Sequence, residues 1–194
     1  MAHTIYYVTS NAGKFEEVAD CIKVHNTPIS LQPYDADILE IQTMDQQEIA
    51  LDKARKAWEL LRQPVLVDDS GIYFEKYHEF PGVMSKYITQ GIGMAGIIKL
   101  IEPGDRAYFK LHFVYVDAQG EATSFEGLCT GYLIIPERLQ AHVDLPYDDI
   151  FVPDGLVGTP QTYAQLRGTP QFEQFSYRLR ALNAFLSWFA KNNK

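Results

Sequence analysis

Over the first third of the chain, short β-branched runs alternate with stretches whose apolar residues fall at helical spacing. "TIYYVT" (Thr4–Thr9) is short, β-branched and aromatic, and reads as a buried strand. "SNAG" supplies turn chemistry. From Lys14, the residues Phe15, Val18, Ala19 and Ile22 predict an amphipathic helix to about Val24. "PISLQPYD" suits a short second strand, and "ILEIQ" a loop or short edge strand. Thr43 and Gln46 form a capping-box pattern. The helix after it, to about Leu61, carries an apolar stripe of Ile49, Ala50, Ala54, Ala57 and Leu61, and Pro64 ends it. "VLV" (Val65–Val67) is then a third strand. Strand, helix, strand, helix, strand predicts an α/β sheet with parallel pairing.

Further on, "FPGV" (Phe80–Val83) is a turn, and Met84 to Ile101 is mostly helical despite Gly91, Gly93 and Gly96. "AYFKLHFVYVD" alternates as a strand, "DAQG" turns it, and "EATSFEGLCTGYLII" returns as the second arm of a long hairpin. A last helix runs from about Phe175 to Lys191. With no linker and no internal repeat, the pattern predicts one domain over residues 1–194. Its sheet is expected to be mixed and flanked by helices, and the three-segment sheet plus the hairpin lobe suggests two lobes with a cleft between them.

Composition narrows this picture. A chain of 194 residues can bury a core without disulfides or metals. Its formal net charge of -8 argues against long nucleic acid as a partner, though not against a small anion at a locally basic site. Cys21 and Cys129 show no metal-ligand spacing and read as reduced thiols of a cytoplasmic protein. No apolar run reaches the ~18 residues of a membrane span, and the first residues lack a signal-peptide pattern.

Three features then suggest chemistry. "TSNAGK" (Thr9–Lys14) joins the first strand to the first helix, where α/β folds present backbone N–H groups and a positive helix end to anions. Thr9, Ser10 and Asn11 add donors and Lys14 adds charge; an ordinary capped turn is the plainer alternative. Lys53 falls inside an apolar stripe, where it either snorkels or points a cation into the cleft. Asp68 and Asp69 stand where the third strand is expected to end. Paired carboxylates there can hold Mg²⁺ together with phosphate oxygens, or activate a water; a turn capped by Asp69 is the alternative. Together the three point to Mg²⁺-dependent chemistry on a phosphoanhydride, with no substrate named.

The same residues resemble the inosine triphosphate pyrophosphatases, the non-canonical purine nucleoside triphosphate pyrophosphatases. "TSNAGKFEEV" is similar to that family's phosphate-binding motif, "LEIQ" (Leu39–Gln42) to its metal-ligand segment and "VDDSGI" to its catalytic motif. "FPGVMSKYI", "FEGLCTGYL", "YDDIFVPDG", "TYAQL" and "SYRLRAL" follow in the family's order. The resemblance implies an elongated α/β fold of two lobes around a cleft, a homodimer, and hydrolysis between the α- and β-phosphorus of nucleotides carrying hypoxanthine or xanthine. It implies that Thr9, Ser10, Asn11, Lys14 and Ser70 hold phosphates and that Lys53 reaches them from the second helix. It further implies that Glu40 and Asp69 hold Mg²⁺, and that Asp69 activates water with Asp68 in support. Glu48 lies about 140° from Lys53 on a continuous helix and would face away, which favours Glu40 as the ligand.

The base end departs from the family pattern. Its Gly-Phe-Gly-Tyr/Trp-Asp-Pro run is here "DLPYDD" (Asp144–Asp149), with Leu145 where an aromatic would stack and Asp149 in place of the proline. The Ser-His-Arg motif is Ser176-Tyr177-Arg178. The resemblance therefore implies a base site of Leu145, Tyr147, Asp148, Tyr177 and Arg178, with donors for a 6-oxo purine partly lost. The same chemistry on a different or modified base is one alternative. A nucleotide-binding relative without catalysis is another, and the retained Glu40, Lys53 and Asp69 argue against it.

Overall fold

The structure, a computed structural model, describes residues 2–25, 27–139 and 145–192. One mixed sheet of seven strands organises it. The strands are β1 (His3–Val8), β2 (Ile29–Tyr34), β3 (Val65–Phe74), β4 (Pro81–Gly82), β5 (Arg106–Val116), β6 (Ala122–Leu133) and β7 (Phe151–Pro153). Their order is β2-β1-β3-β5-β6-β7, with β4 paired to β3. The helices are α1 (Ala12–Val24), α2 (Gln46–Leu61), α3 (Ser85–Ile98), α4 (Tyr163–Leu166), α5 (Phe172–Phe175) and α6 (Tyr177–Asn192). β1 is parallel to both β2 and β3, as the alternating pattern requires. None of the described helices is long and apolar enough to cross a membrane.

By contact the chain divides into two compact units. The first comprises Met1–Asp69, Leu111–Gly127 and Arg178–Lys194, and the second Ser70–Lys110 and Leu128–Tyr177. In the first unit, α2 lays its alanines on one face of the sheet: Ala50, Ala54 and Ala57 form a core with Val8, Val65, Val67, Val114 and Val116. On the opposite face Tyr7 packs against Phe15 of α1 and Phe113 of β5, and Tyr115 against Phe185 and Phe189 of α6. Strand side chains alternate between faces, so Val65 and Val67 meet α2 while Leu66 faces the other way. The second unit has an aromatic core in which Phe109 contacts Phe151, Tyr163 and Tyr177.

Three local readings are corrected. The third strand does not end at Val67 but continues through Asp68, Asp69, Ser70 and Gly71 to Phe74. Gly71 permits this, because a Cβ there would stand 2.3 Å from the carbonyl oxygen of Gly82 on β4. The cap of α2 is Asp45, whose side chain accepts from the N–H groups of Gln47 and Glu48; Thr43 instead accepts from the Asp45 N–H. The helix after Met84 breaks at Gly93, where φ is 62° and ψ 175°.

Candidate active site

α1 begins one residue after the turn that follows β1. Asn11 caps it, its Oδ1 accepting from the Lys14 N–H at 3.0 Å, while Thr9 Oγ1 accepts from the Asn11 N–H at 3.2 Å. The cap leaves Ser10 exposed beside Thr9, at the positive end of the helix. The Lys14 side chain turns to β3. Its Nζ lies 2.9 Å from Asp68 Oδ2.

The alternation of β3 separates the two carboxylates that stand adjacent in sequence. Asp68 shares the face of Leu66, and Asp69 that of Val67. Asp68 is saturated: Tyr7 Oη donates to its Oδ1 at 2.7 Å, and Lys14 Nζ and Arg178 Nη1 lie 2.9 and 2.7 Å from its Oδ2. Burial alone would raise its pKa. The charges of Lys14 and Arg178, with the hydrogen bonds from Lys14 and Tyr7, override that and hold Asp68 well below the usual carboxylate range. Burial, with Asp68 beside it, pushes the Tyr7 phenol well above its ordinary value, so Tyr7 is a neutral donor.

Asp69 is the opposite case. Its Oδ2 is buried and has no hydrogen-bond partner. Burial dominates and pushes its pKa up to about 7; Lys14 and Lys53 work against this and Glu40 and Asp68 with it. One carboxylate of the pair is thus locked as an anion and the other is poised to exchange a proton near neutral pH.

Glu40 and Lys53 form an ion pair, with Nζ 2.9 Å from Oε1 and side chains 21% and 32% exposed for Lys53 and Glu40. Burial disfavours the Lys53 charge, but Glu40, with Asp68 and Asp69, outweighs it and raises the lysine's pKa. Among the described residues no cluster of three or more His, Cys, Asp or Glu side chains could hold a metal ion. Mg²⁺ needs only one or two carboxylates when phosphate oxygens complete its shell. The unpaired Asp69 Oδ2 suits it, and the Glu40 carboxylate, held by Lys53, is a second oxygen donor that a competing charge could free.

The side chains linked by resemblance to the base have other partners here. Tyr147 and Asp148 lie on the 3-10 turn Pro146–Asp149. Tyr147 donates to the carbonyl of Ser85 at 3.0 Å, and buried Asp148 accepts from Arg167 Nε, whose guanidinium sits over the ring of Phe172. Tyr177 stacks on Phe109 with centroids 4.9 Å apart and planes 10° apart. Leu145 is half-buried ahead of the 3-10 turn, and Asp144 lies outside the described residues. Arg178 turns to Asp68, and its Nε lies 3.3 Å from Glu17 Oε2. Ser70 continues β3 and is half-buried. Sequence reasoning missed Tyr7, Glu17 and Arg167. For Glu17 a signal exists, since it follows Lys14 by three residues on α1 and therefore shares its face.

The model of the Ham1 family matches residues 5–188. A dITP/XTP pyrophosphatase of Methanopyrus kandleri is 34% identical over 191 residues, covering 97% of this chain and 97% of its own. An inosine triphosphate pyrophosphatase of Trypanosoma cruzi is 33% identical, over 96% of this chain and 92% of its own. Among solved structures, a Ham1 protein from Coxiella burnetii superimposes with a TM-score of 0.75 at 20% identity, over 97% of this chain and 99% of that one. That likeness supports the mixed α/β fold described above.

Proposed function

Because the chain belongs to the Ham1 family, we propose that it is a nucleoside triphosphate pyrophosphatase, using water to cleave between the α- and β-phosphorus and releasing a nucleoside monophosphate and pyrophosphate. Nucleotides with hypoxanthine or xanthine are the first candidates, after the names of the relatives. The observation that carries the reading is Asp69: a buried oxygen without a partner, on a carboxyl group whose pKa of about 7 suits a proton acceptor. Asp69 takes the proton of the attacking water. Asp68, held by Tyr7, Lys14 and Arg178, stays ionised and keeps β3 and α1 in register at the site. The first-turn N–H groups of α1, with Thr9, Ser10, Asn11 and Ser70, bind phosphate oxygens, and Lys14 and Lys53 offset their charge. Glu40 and Asp69 would hold Mg²⁺, which when bound supplies positive charge to the phosphates and acidifies water. The protein is further read as a cytoplasmic homodimer.

A second reading, the same chemistry on another base, is favoured by one observation. Tyr147 donates to the Ser85 carbonyl, Asp148 pairs with Arg167, Tyr177 is stacked on Phe109 and Arg178 is committed to Asp68, so four of the five residues assigned to the base are engaged elsewhere. Leu145 is the candidate that none of these contacts engages. A panel of nucleoside triphosphates, with and without Mg²⁺ and scored for pyrophosphate against phosphate, tests both readings. Mg²⁺-dependent pyrophosphate supports the chemistry, and the ranking by kcat/KM selects the base. Phosphate as the sole product, or no product from any nucleotide, overturns the assignment.

A further inference from the structure

Lys56 has no part in the chemistry above, yet it makes the contact that fixes the backbone beside Glu40. It follows Lys53 by three residues on α2, so the two lysines are neighbours on one helix face. Both reach the segment between β2 and α2. Lys53 Nζ lies 2.9 Å from Glu40 Oε1, and Lys56 Nζ lies 2.8 Å from the carbonyl oxygen of Leu39. Upstream, Ala36 and Ile38 pack against the alanine face of α2, and downstream Asp45 caps the helix. The Leu39 side chain is 83% exposed, so burial does not anchor the chain at the residue before Glu40. The Lys56 ammonium is itself steadied by Asp52 Oδ2 at 2.7 Å, one turn earlier on α2.

The two lysine contacts have different fates in the proposed reaction. Lys53 turns to phosphate and Glu40 to a divalent cation, so their ion pair opens. The bond from Lys56 to the Leu39 carbonyl uses no group assigned to substrate and remains. We propose that Lys56 is a positioning residue: by holding the Leu39 carbonyl it keeps the Glu40 carboxylate placed for a divalent cation once Lys53 has left it. Without that tether the backbone at residues 39 and 40 is freer before binding, and ordering it weakens cation affinity. The inference rests on Glu40 being a metal ligand.

The test is Mn²⁺ binding to the full chain without nucleotide, read from the electron paramagnetic resonance signal of free Mn²⁺. Lys56→Met is expected to weaken binding about 5-fold, the loss of one charge-assisted hydrogen bond. Lys56→Arg, which can still donate to the carbonyl, restores it to within about twofold by the same measure. Glu40→Gln weakens binding further, and adding Lys56→Met to it has no additional effect, since Lys56 acts through Glu40. Should Lys56→Met fail to fold by circular dichroism, Asp52→Asn loosens the same ammonium and is expected to weaken binding in the same direction. Wild-type Mn²⁺ affinity in Lys56→Met, or an undiminished effect of Lys56→Met in the Glu40→Gln background, overturns the positioning role alone. Wild-type affinity in Glu40→Gln overturns the metal-ligand reading beneath it.

Discussion

Arg178 Nη1 lies 2.7 Å from Asp68 Oδ2, and both side chains are only 2% exposed. A buried ion pair of this kind adds little over an apolar pair, and removing Arg178 leaves Asp68 with one cation fewer, Lys14 still beside it. Arg178→Met is therefore expected to destabilise the fold by about 1–3 kcal/mol. Asp68→Asn should cost less when added to Arg178→Met than alone, because the two act as one unit. Urea unfolding of the four proteins checks both statements, and strict additivity would contradict the second. The pair also sets an acid limb. Asp68 has a depressed pKa in the folded state, so its contribution is present above the unfolded value of about 3.9 and is lost as pH falls through the folded one. Wild-type stability should fall steeply below about pH 4, and Arg178→Met should show a shallower limb.

Tyr7→Phe removes one hydroxyl from the same cluster without changing the volume of the core. Asp68 Oδ1 then loses the donor that meets it at 2.7 Å. A buried acceptor left short costs about 1–3 kcal/mol. Thermal unfolding measures this directly, and an unchanged melting temperature would show that Tyr7 matters for packing alone.

Asp69 should make wild-type stability fall as pH rises, the reverse of Asp68. Its folded pKa is raised to about 7, so the unfolded chain ionises first and the folded state is penalised progressively between about pH 4 and pH 7. Asp69→Asn carries no such penalty. It should be more stable than wild type at pH 8, by on the order of 4 kcal/mol, and the gap should close towards pH 4. Mg²⁺ added at pH 8 should raise the melting temperature of the wild type more than that of Asp69→Asn, since binding to the native state alone is stabilising. Equal shifts in the two proteins would remove Asp69 from the metal site.

Tyr177 stacks on Phe109 in the aromatic core, and its hydroxyl can be removed without disturbing that contact. Tyr177→Phe should leave the ratio of kcat/KM between inosine and guanosine triphosphates within about twofold. A change of 100-fold or more would put the hydroxyl against the base, since a site built to hydrogen-bond a substrate discriminates that strongly.

Local patterns carried most of the fold to the reader of the sequence. The spacing of Phe15, Val18 and Ile22 placed α1, and the alanines of α2 placed that helix on the sheet. Lys53 was legible as a misfit in an apolar stripe, and its partner Glu40 came from the resemblance. The strand through Asp68 and Asp69 was not legible, because what makes it tolerable is distant. The charge of Asp68 is met by Lys14 and by Arg178, 54 and 110 residues away, and no local pattern announces either contact. The motif containing Arg178 was visible, whereas the direction of its side chain depended on how α6 packs. The cap of α2 was misplaced by two residues for a simpler reason: Thr43 and Asp45 are both good caps, and the chain uses Asp45 for the helix and Thr43 to hold Asp45.

The most direct test compares pyrophosphate release and nucleotide binding for wild type and Asp69→Asn, with inosine triphosphate and Mg²⁺. Wild type should release pyrophosphate, and Asp69→Asn should lose turnover by at least about 100-fold, as expected when a positioned proton acceptor is removed. Nucleotide affinity by calorimetry should stay within about tenfold, since the α1 N-terminus, Lys14 and Lys53 are intact. Turnover retained in Asp69→Asn would contradict the account, because the buried Asp69 oxygen that has no hydrogen-bond partner would then have no part in the chemistry.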